Sequence, residues 1–271
     1  MPTFTGKTFS SFYKNLLGLN QVSNTGVDAT TRVVHDGAGQ STSVSLSDDV
    51  LSVQPVNDDT TGTMLVKNNA GNNILAVDTT NSKVLLGASQ VSASTQYAYF
   101  GVSNSDSSSF TADYHYAIPF ANANGTLSVG TVMGSSTSSS FNDTDPATSL
   151  TISSTAQYNV LVYWYVMDNI TIDAVKWLHA ADSITGDDTA AHLMSYTIDT
   201  GNGSTGGDLS GGVVLADGAT ITNAGSEQIY YQSMTVQSAD VDAGKVILFT
   251  FASDTISSDY SLNCNVKYHI R

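Results

Sequence analysis

The chain has 271 residues and a mass of 28.4 kDa; 41% of it is hydrophobic and only 12% charged, which supports a packed core and excludes wholesale disorder. The formal net charge of −15 is uneven: residues 1–94 carry five Lys/Arg against seven Asp, residues 95–271 four Lys/Arg against sixteen Asp and one Glu. So acidic a surface repels phosphate backbones and excludes nucleic acid as a partner, and no apolar run reaches the eighteen or so residues that would insert in a membrane as a helix.

Cys264 is the only cysteine, so neither an intrachain disulfide nor a cysteine-based zinc site is available. It alternates with Leu262 and Val266, the pattern of a buried thiol. The first seven residues lack the long apolar centre of a signal peptide, so synthesis in the cytoplasm is expected.

Residues 8–19 read as a short amphipathic helix, because Phe9, Phe12, Tyr13, Leu16, Leu17 and Leu19 recur at three- and four-residue spacing. A helix this short needs a partner surface, either its own chain or a groove in a larger assembly. Residues 20–31 are polar and read as an extended connector. From Arg32 the pattern turns to short strands. Arg32–His35 and Ser41–Leu46 flank Asp36-Gly37, a hairpin signal, and Val50–Val53 follows.

Thr63 to Gly87 contains three apolar runs, Met64–Val66, Ile74–Val77 and Val84–Leu86, whose starts are ten residues apart. A strand-plus-turn period of that length points to stacked β rungs, and three rungs are too few to close a core. Met64, Val66, Ile74, Val84 and Leu86 are therefore expected to pack against other copies, as the shaft of a homotrimeric fibre. Residues 88–96 are small and polar and mark a boundary.

Residues 95–271 show about ten strand-like runs separated by turn clusters, which predicts an antiparallel β-sandwich of jelly-roll type. Asn159–Met167 is nearly continuous in large residues and is expected to be a central strand. The domain division is then 1–31, a helical anchor and connector; 32–94, a β-repeat shaft; and 95–271, a sandwich head. The fold class is mainly β.

No constellation in the chain carries catalysis, and no cofactor or metal is expected. Gly201-Asn202-Gly203-Ser204-Thr205-Gly206 has the glycine spacing of a dinucleotide loop but is followed by Gly207-Asp208-Leu209-Ser210-Gly211, where no helix can start. The five histidines, His35, His115, His179, His192 and His269, show no metal-ligand spacing. The pairs Asp143/Asp145, Asp187/Asp188 and Asp240/Asp242 fall in turns, where Asp bonds to nearby backbone N–H groups. Among the aromatics of the head, Tyr97, Tyr114 and Trp177 are candidates for receptor contact. Core and subunit interface are the competing use of such residues.

Residues Thr5–Leu17, Asn24–Arg32, Asp36-Gly37-Ala38-Gly39, Leu46–Asp49 and Ala76–Val84 resemble a module of structural proteins of tailed phages, especially marine ones. The resemblance covers about a third of the chain. It implies a non-enzymatic homotrimeric virion-surface protein that attaches to other virion proteins of the capsid or tail through Phe9, Phe12, Tyr13, Leu16 and Leu17. The head would then meet a glycan or protein of the host surface. Alternatives are a capsid decoration or head-fibre protein and, as an enzyme, a tail-spike depolymerase; the last is disfavoured because the rungs stop after three.

Overall fold

The computed structural model describes residues 16–21, 26–89, 91–103, 112–121, 146, 148–149, 162–181, 184–199, 208–225, 227–255 and 260–271. These are mainly β, with no α-helix among them. The chain divides into two compact units, Met1–Ala93 and Ser94–Arg271.

In the first unit β1 (Leu17–Leu19), β2 (Arg32–Asp36), β3 (Ser41–Leu46) and β4 (Leu51–Val53) form an antiparallel meander in that order. The expected helix does not extend to Leu19, because Leu17 and Leu19 pair with Asp36 and Val34 of β2. A segment carrying Gly18 holds a helix poorly on its own, and the free edge of β2 satisfies its backbone instead. Residues 8–15 lie outside the described residues, so Phe9, Phe12 and Tyr13 have no described position.

The β2–β3 turn forms at the hairpin signal. Asp36 Oδ1 accepts from Ala38 N and Gln40 N, both at 2.9 Å, and Gly39 takes φ +84°. The same device recurs at Asn68, whose Oδ1 accepts from Ala70 N at 3.0 Å and Asn72 N at 2.9 Å while Gly71 takes φ +86°. An Asx side chain supplying two acceptor bonds, with glycine in the left-handed region, makes a tight reversal.

That second turn decides what becomes of the ten-residue period. β5 (Met64–Lys67), β6 (Asn73–Asp78), β7 (Lys83–Leu86) and β8 (Val91–Ser92) are antiparallel neighbours in one sheet. The period is therefore strand plus hairpin turn, and the stacked rungs of a trimeric shaft do not form. The register puts Met64, Val77 and Val84 in one row and Val66, Leu75, Leu86 and Val91 in the next, all on one face. Ile74 falls on the opposite face, beside Ala76 and Asp78. Asp78 accepts from Asn81 N at 2.9 Å and Asn81 Nδ2 at 2.8 Å, bonds that hold its carboxyl below the usual range.

The second unit begins with β9 (Thr95–Ser103), β10 (Tyr116–Ile118) and the two-residue β11 (Trp164–Tyr165). The long strands follow: β12 (Ile170–Ala181), β13 (Asp188–Ile198) and β14 (Leu209–Asp217). After the short β15 (Ile221–Thr222) come β16 (Gln228–Val236), the short β17 (Asp240–Val241), β18 (Lys245–Ser253) and β19 (Tyr260–Ile270). Their order is β10-β18-β13-β14-β16-β12-β19-β9. The path is nearly closed, since Phe100 of β9 bridges to Phe120 just beyond β10, and Ala121 N donates to Tyr99 O at 2.8 Å. Only two residue pairs join β14 to β16, so the closed path pinches into two four-stranded layers, β10-β18-β13-β14 and β16-β12-β19-β9.

The pairing is nested: β13 with β14, β12 with β16, β10 with β18 and β9 with β19. A long hairpin rolled on itself pairs in this way, which is consistent with a jelly roll. The core between the layers is built from Phe100, Trp177, Leu193, Phe249, Phe251 and Tyr260, none more than 1% exposed. Burying side chains of this size contributes roughly 1.5–3 kcal/mol each. Cys264 lies fully buried among them, and burial pushes its thiol pKa up. Of Asn159–Met167, residues 159–161 lie outside the described residues, and residues 162–167 do not form the expected central strand. Within it only Trp164–Tyr165 is a described strand, paired with the end of β18. The central positions go to β12 and β13, whose longer runs pair on both sides.

Candidate functional site

The two layers differ in what lies on their outer sides. On β13 and β18 the outward residues are buried as thoroughly as the inward ones. Met194, Tyr196, Val246 and Leu248 pack with Ala117, Val162 and Leu209 in a second apolar cluster. Strands covered on both faces read as continuous apolar runs, which is why Val246–Ala252 shows little alternation. β12 alternates instead, with Val175, Trp177 and His179 buried and Lys176, Leu178 and Ala180 facing out.

The outer face of β16-β12-β19-β9 is open. The register sets Tyr99, Asn265, Lys176 and Ser233 side by side across the four strands. The next row is Gly101, Asn263, Leu178 and Tyr231, and beyond it come Ser103, Ser261, Ala180 and Ile229. On the other side of the first row Tyr97 pairs with Lys267, and Lys267 with Ala174. Four strands make a platform about 14 Å wide, with rows about 7 Å apart. Tyr97, Tyr99 and Tyr231 are 57%, 48% and 75% exposed, far above what a core use of these rings would leave.

No Asp or Glu stands in these rows. Asp173, the only carboxylate within β12, is the extra residue of a bulge between Ile172 and Ala174, and its Oδ1 lies 2.9 Å from His269 Nδ1. The four cations of this acidic unit divide evenly. Arg271 pairs with Asp240 at 3.1 Å and Asp242 at 3.0 Å, and Lys245 Nζ donates to Thr197 Oγ1. Lys176 and Lys267 stand on the open face, without an ion pair among the described residues.

A second group of polar residues is internal. Asp187, 1% exposed, accepts from Ser253 Oγ at 2.9 Å, from Thr255 N at 3.2 Å and from the Tyr260 hydroxyl. Asn223 Nδ2 donates to Tyr260 Oη at 2.5 Å and to the Asp187 carbonyl at 3.2 Å, and Asn223 Oδ1 accepts from His179 Nε2 at 3.1 Å. Burial holds the His179 pKa down, so its ring is neutral in the core. Burial, followed by the hydrogen bond with Asp187, pushes the Asp254 carboxyl up. Except for His179 Nδ1, which has no hydrogen-bond partner among the described residues, these polar groups satisfy one another, and the cluster reads as a structural tie between β12, β13, β18 and β19.

One concavity of about 310 Å³ is lined by Ala190, His192, Asp217, Gly218, Thr235 and Gln237, among others. His192 Nε2 stands 3.2 Å from Asp217 Oδ1, and the rings of His115 and His192 are 5.0 Å apart. Those two histidines are 77 positions apart in the chain, and no spacing rule would have joined them. Among the described residues no group of three or more His, Cys, Asp or Glu is placed to hold a metal ion.

The residues singled out by sequence end in different places. Trp177 is fully buried in the core and inaccessible to a receptor, because it lies on the inward phase of β12. Tyr114 is half-buried against the core, and Tyr97 stands on the open face. Leu16 is half-buried, Leu17 is 70% exposed at the sheet edge, and Met64, Val66, Ile74, Val84 and Leu86 are all exposed. Sequence reasoning missed Lys176, Lys267, Asn263 and Asn265. The polar phase of the alternation in β12 and β19 was the signal that could have found them. Asp143, Asp145 and the Gly201–Gly206 loop lie outside the described residues.

Fold and surface define a mainly-β sandwich with one open face whose central rows hold two lysines and no carboxylate. No family model matches the sequence, and neither a curated protein nor a solved structure is detectably similar to it.

Proposed function

We propose that the chain is a non-enzymatic structural protein of a tailed-phage virion. It assembles as a homotrimer on the particle surface, with its N-terminal unit held by other virion proteins and its jelly-roll-like head used for host-surface attachment. The reading draws on the resemblance of residues 5–87 to phage structural modules. The observation that carries it is the outer face of β5–β8, where two rows, of three and four side chains, contain no polar residue. Met64, Val66, Val84 and Leu86 there are 41–45% exposed. A contiguous apolar sheet face is an assembly surface or a liability, and further copies of the same unit supply the matching surface.

The test is the mass in solution of the full chain and of Met64→Asp/Val84→Asp. The homotrimer predicts a species of about 85 kDa from three 28.4 kDa chains, reduced to single chains by two buried like charges per copy. A monodisperse 28.4 kDa wild-type protein overturns the assembly reading.

A further inference from the structure

We infer that the outer face of β16-β12-β19-β9 binds an acidic polysaccharide, one whose negative charges are spread along a chain of sugar rings. The inference rests on reading the second unit as an attachment head and names the ligand class for it.

Charge complementarity is the first ground. Residues 95–271 carry sixteen Asp and one Glu against four cations. Two of those cations are neutralised or engaged elsewhere, and the other two stand on this one face with no carboxylate in its rows. In a protein of net charge −15, rows that hold two lysines and no carboxylate, with Asp173 at their margin engaged by His269, are the place where an anion meets the least repulsion.

The spacing of the two lysines narrows the class. Lys267 lies one strand and one row from Lys176, a diagonal of about 7–8 Å. Two charges so placed match a polymer with one acidic group per sugar or per few sugars. A nucleic acid strand, charged at every nucleotide, meets the repulsion of the rest of this acidic unit.

The aromatic residues supply the other half of the recognition. Tyr97 and Tyr99 stand two residues apart along β9, and Tyr231 stands at the opposite margin. A phenol ring offers a flat negative face to the slightly positive C–H face of a sugar, and its hydroxyl remains free to bond. Asn263 and Asn265 lie between the margins, their amides joined by a 2.5 Å hydrogen bond from Asn265 Nδ2 to Asn263 Oδ1. That bond leaves the second N–H of Asn265 and the amide nitrogen of Asn263 to donate to sugar hydroxyls. Tyrosines thus bind rings, asparagines hydroxyls and lysines carboxylates.

The experiment titrates the full chain with polygalacturonate and with neutral dextran at low and high salt. It uses wild type, Lys176→Glu/Lys267→Glu, Tyr97→Ala/Tyr99→Ala, and Lys67→Glu as a charge change on the other unit. Expected is binding to polygalacturonate over dextran that weakens with salt. Either face variant weakens it by about tenfold or more, and Lys67→Glu by less than about twofold. All four side-chain positions face outward, so unchanged circular dichroism and melting are expected and are checked alongside. Equal binding of the two polysaccharides, or binding indifferent to the lysine reversal, overturns the inference. A lysine variant that loses a higher-mass species while wild type binds no polysaccharide assigns the face to a second copy, and also overturns it. Adsorption of the protein to host cells separates the two readings. Adsorption lost in the tyrosine variant but kept in the lysine variant leaves the attachment head standing and removes the acidic ligand; wild type that binds neither cells nor polysaccharide removes both.

Discussion

Tyr260→Phe tests the internal polar tie of the sandwich with a single oxygen. The hydroxyl of Tyr260 donates to the buried carboxylate of Asp187 and accepts from Asn223 Nδ2 at 2.5 Å. Its removal deprives Asp187 of one of its donors and leaves Asn223 Nδ2 only the longer bond to the Asp187 carbonyl. The ring itself stays, and its contacts with Phe251 at 5.0 Å and His179 at 5.6 Å are preserved, so no cavity opens. A hydrogen bond to a carboxylate is worth about 1.5–3 kcal/mol, and leaving a buried donor short of its acceptor adds up to about as much again. The expected loss is about 2–4 kcal/mol, against a total stability of about 5–15 kcal/mol for an ordinary domain. For a unit of this size that is a fall in Tm of roughly 4–16 °C. The assay is thermal unfolding followed at a near-ultraviolet aromatic signal, with Tyr99→Phe on the open face as the control for losing a solvated hydroxyl. A shift no larger than the control refutes the claim that the network holds the strands together and leaves Tyr260 as packing alone.

Acidification tests the neighbouring histidine. The folded-state pKa of His179 is held below its ordinary 6.5, so the stability it contributes is present above about pH 6.5 and lost as pH falls through the folded value. Asp254, whose pKa is raised, works in the opposite sense: its contribution is full below its ordinary 3.8 and lost as pH rises. The informative quantity is therefore the difference between wild type and His179→Gln, which cannot protonate, in melts from pH 7.5 to 5; parallel curves refute the assignment. Cys264 is expected to ignore a thiol reagent in the native protein, since it is fully buried and its thiol pKa is raised. Its labelling should track denaturant unfolding, and stoichiometric reaction without denaturant contradicts the packed core.

Much of the head was legible in the chain because each long strand carries its own bounded pattern. Tyr260–Ile270 and Ile170–Ala181 alternate between apolar and polar residues along most of their length, so their strand character is written in the sequence. Three places misled, each for a physical reason. The helical spacing of residues 8–19 is compatible with strand pairing once β2 offers an edge, because a three-residue strand has no period of its own. The ten-residue period of residues 63–87 counts strand plus turn equally well for stacked rungs and for a meander, and the choice lies in the turn. Asn68 and Gly71 form a tight reversal, and that was readable in the sequence. The large residues of Asn159–Met167 announced burial without saying against what; Val162 and Tyr163 belong to the apolar cluster on the outer side of β13 and β18. The binding face was the least legible part, since its rows are made by register across four strands and no local spacing encodes them.

The same alternation decides which side of the sandwich can recognise anything. β13 and β18 bury both faces, so any substitution there is felt as packing. β12 and β19 bury one face each, and their outward positions could have been filled by the Asp, Ser and Thr that dominate the rest of this surface. Away from Asp173 at the bulged end, which is engaged by His269, they hold Lys, Asn, Ser, Leu and Ala, flanked by tyrosines. Solubility argues against that choice, because removing charge from a broad sheet face invites association. Core packing is indifferent to it, because these side chains leave the core. A face whose composition neither solubility nor packing explains is best accounted for by a ligand, and lysines set in an acidic unit say that the ligand is an anion.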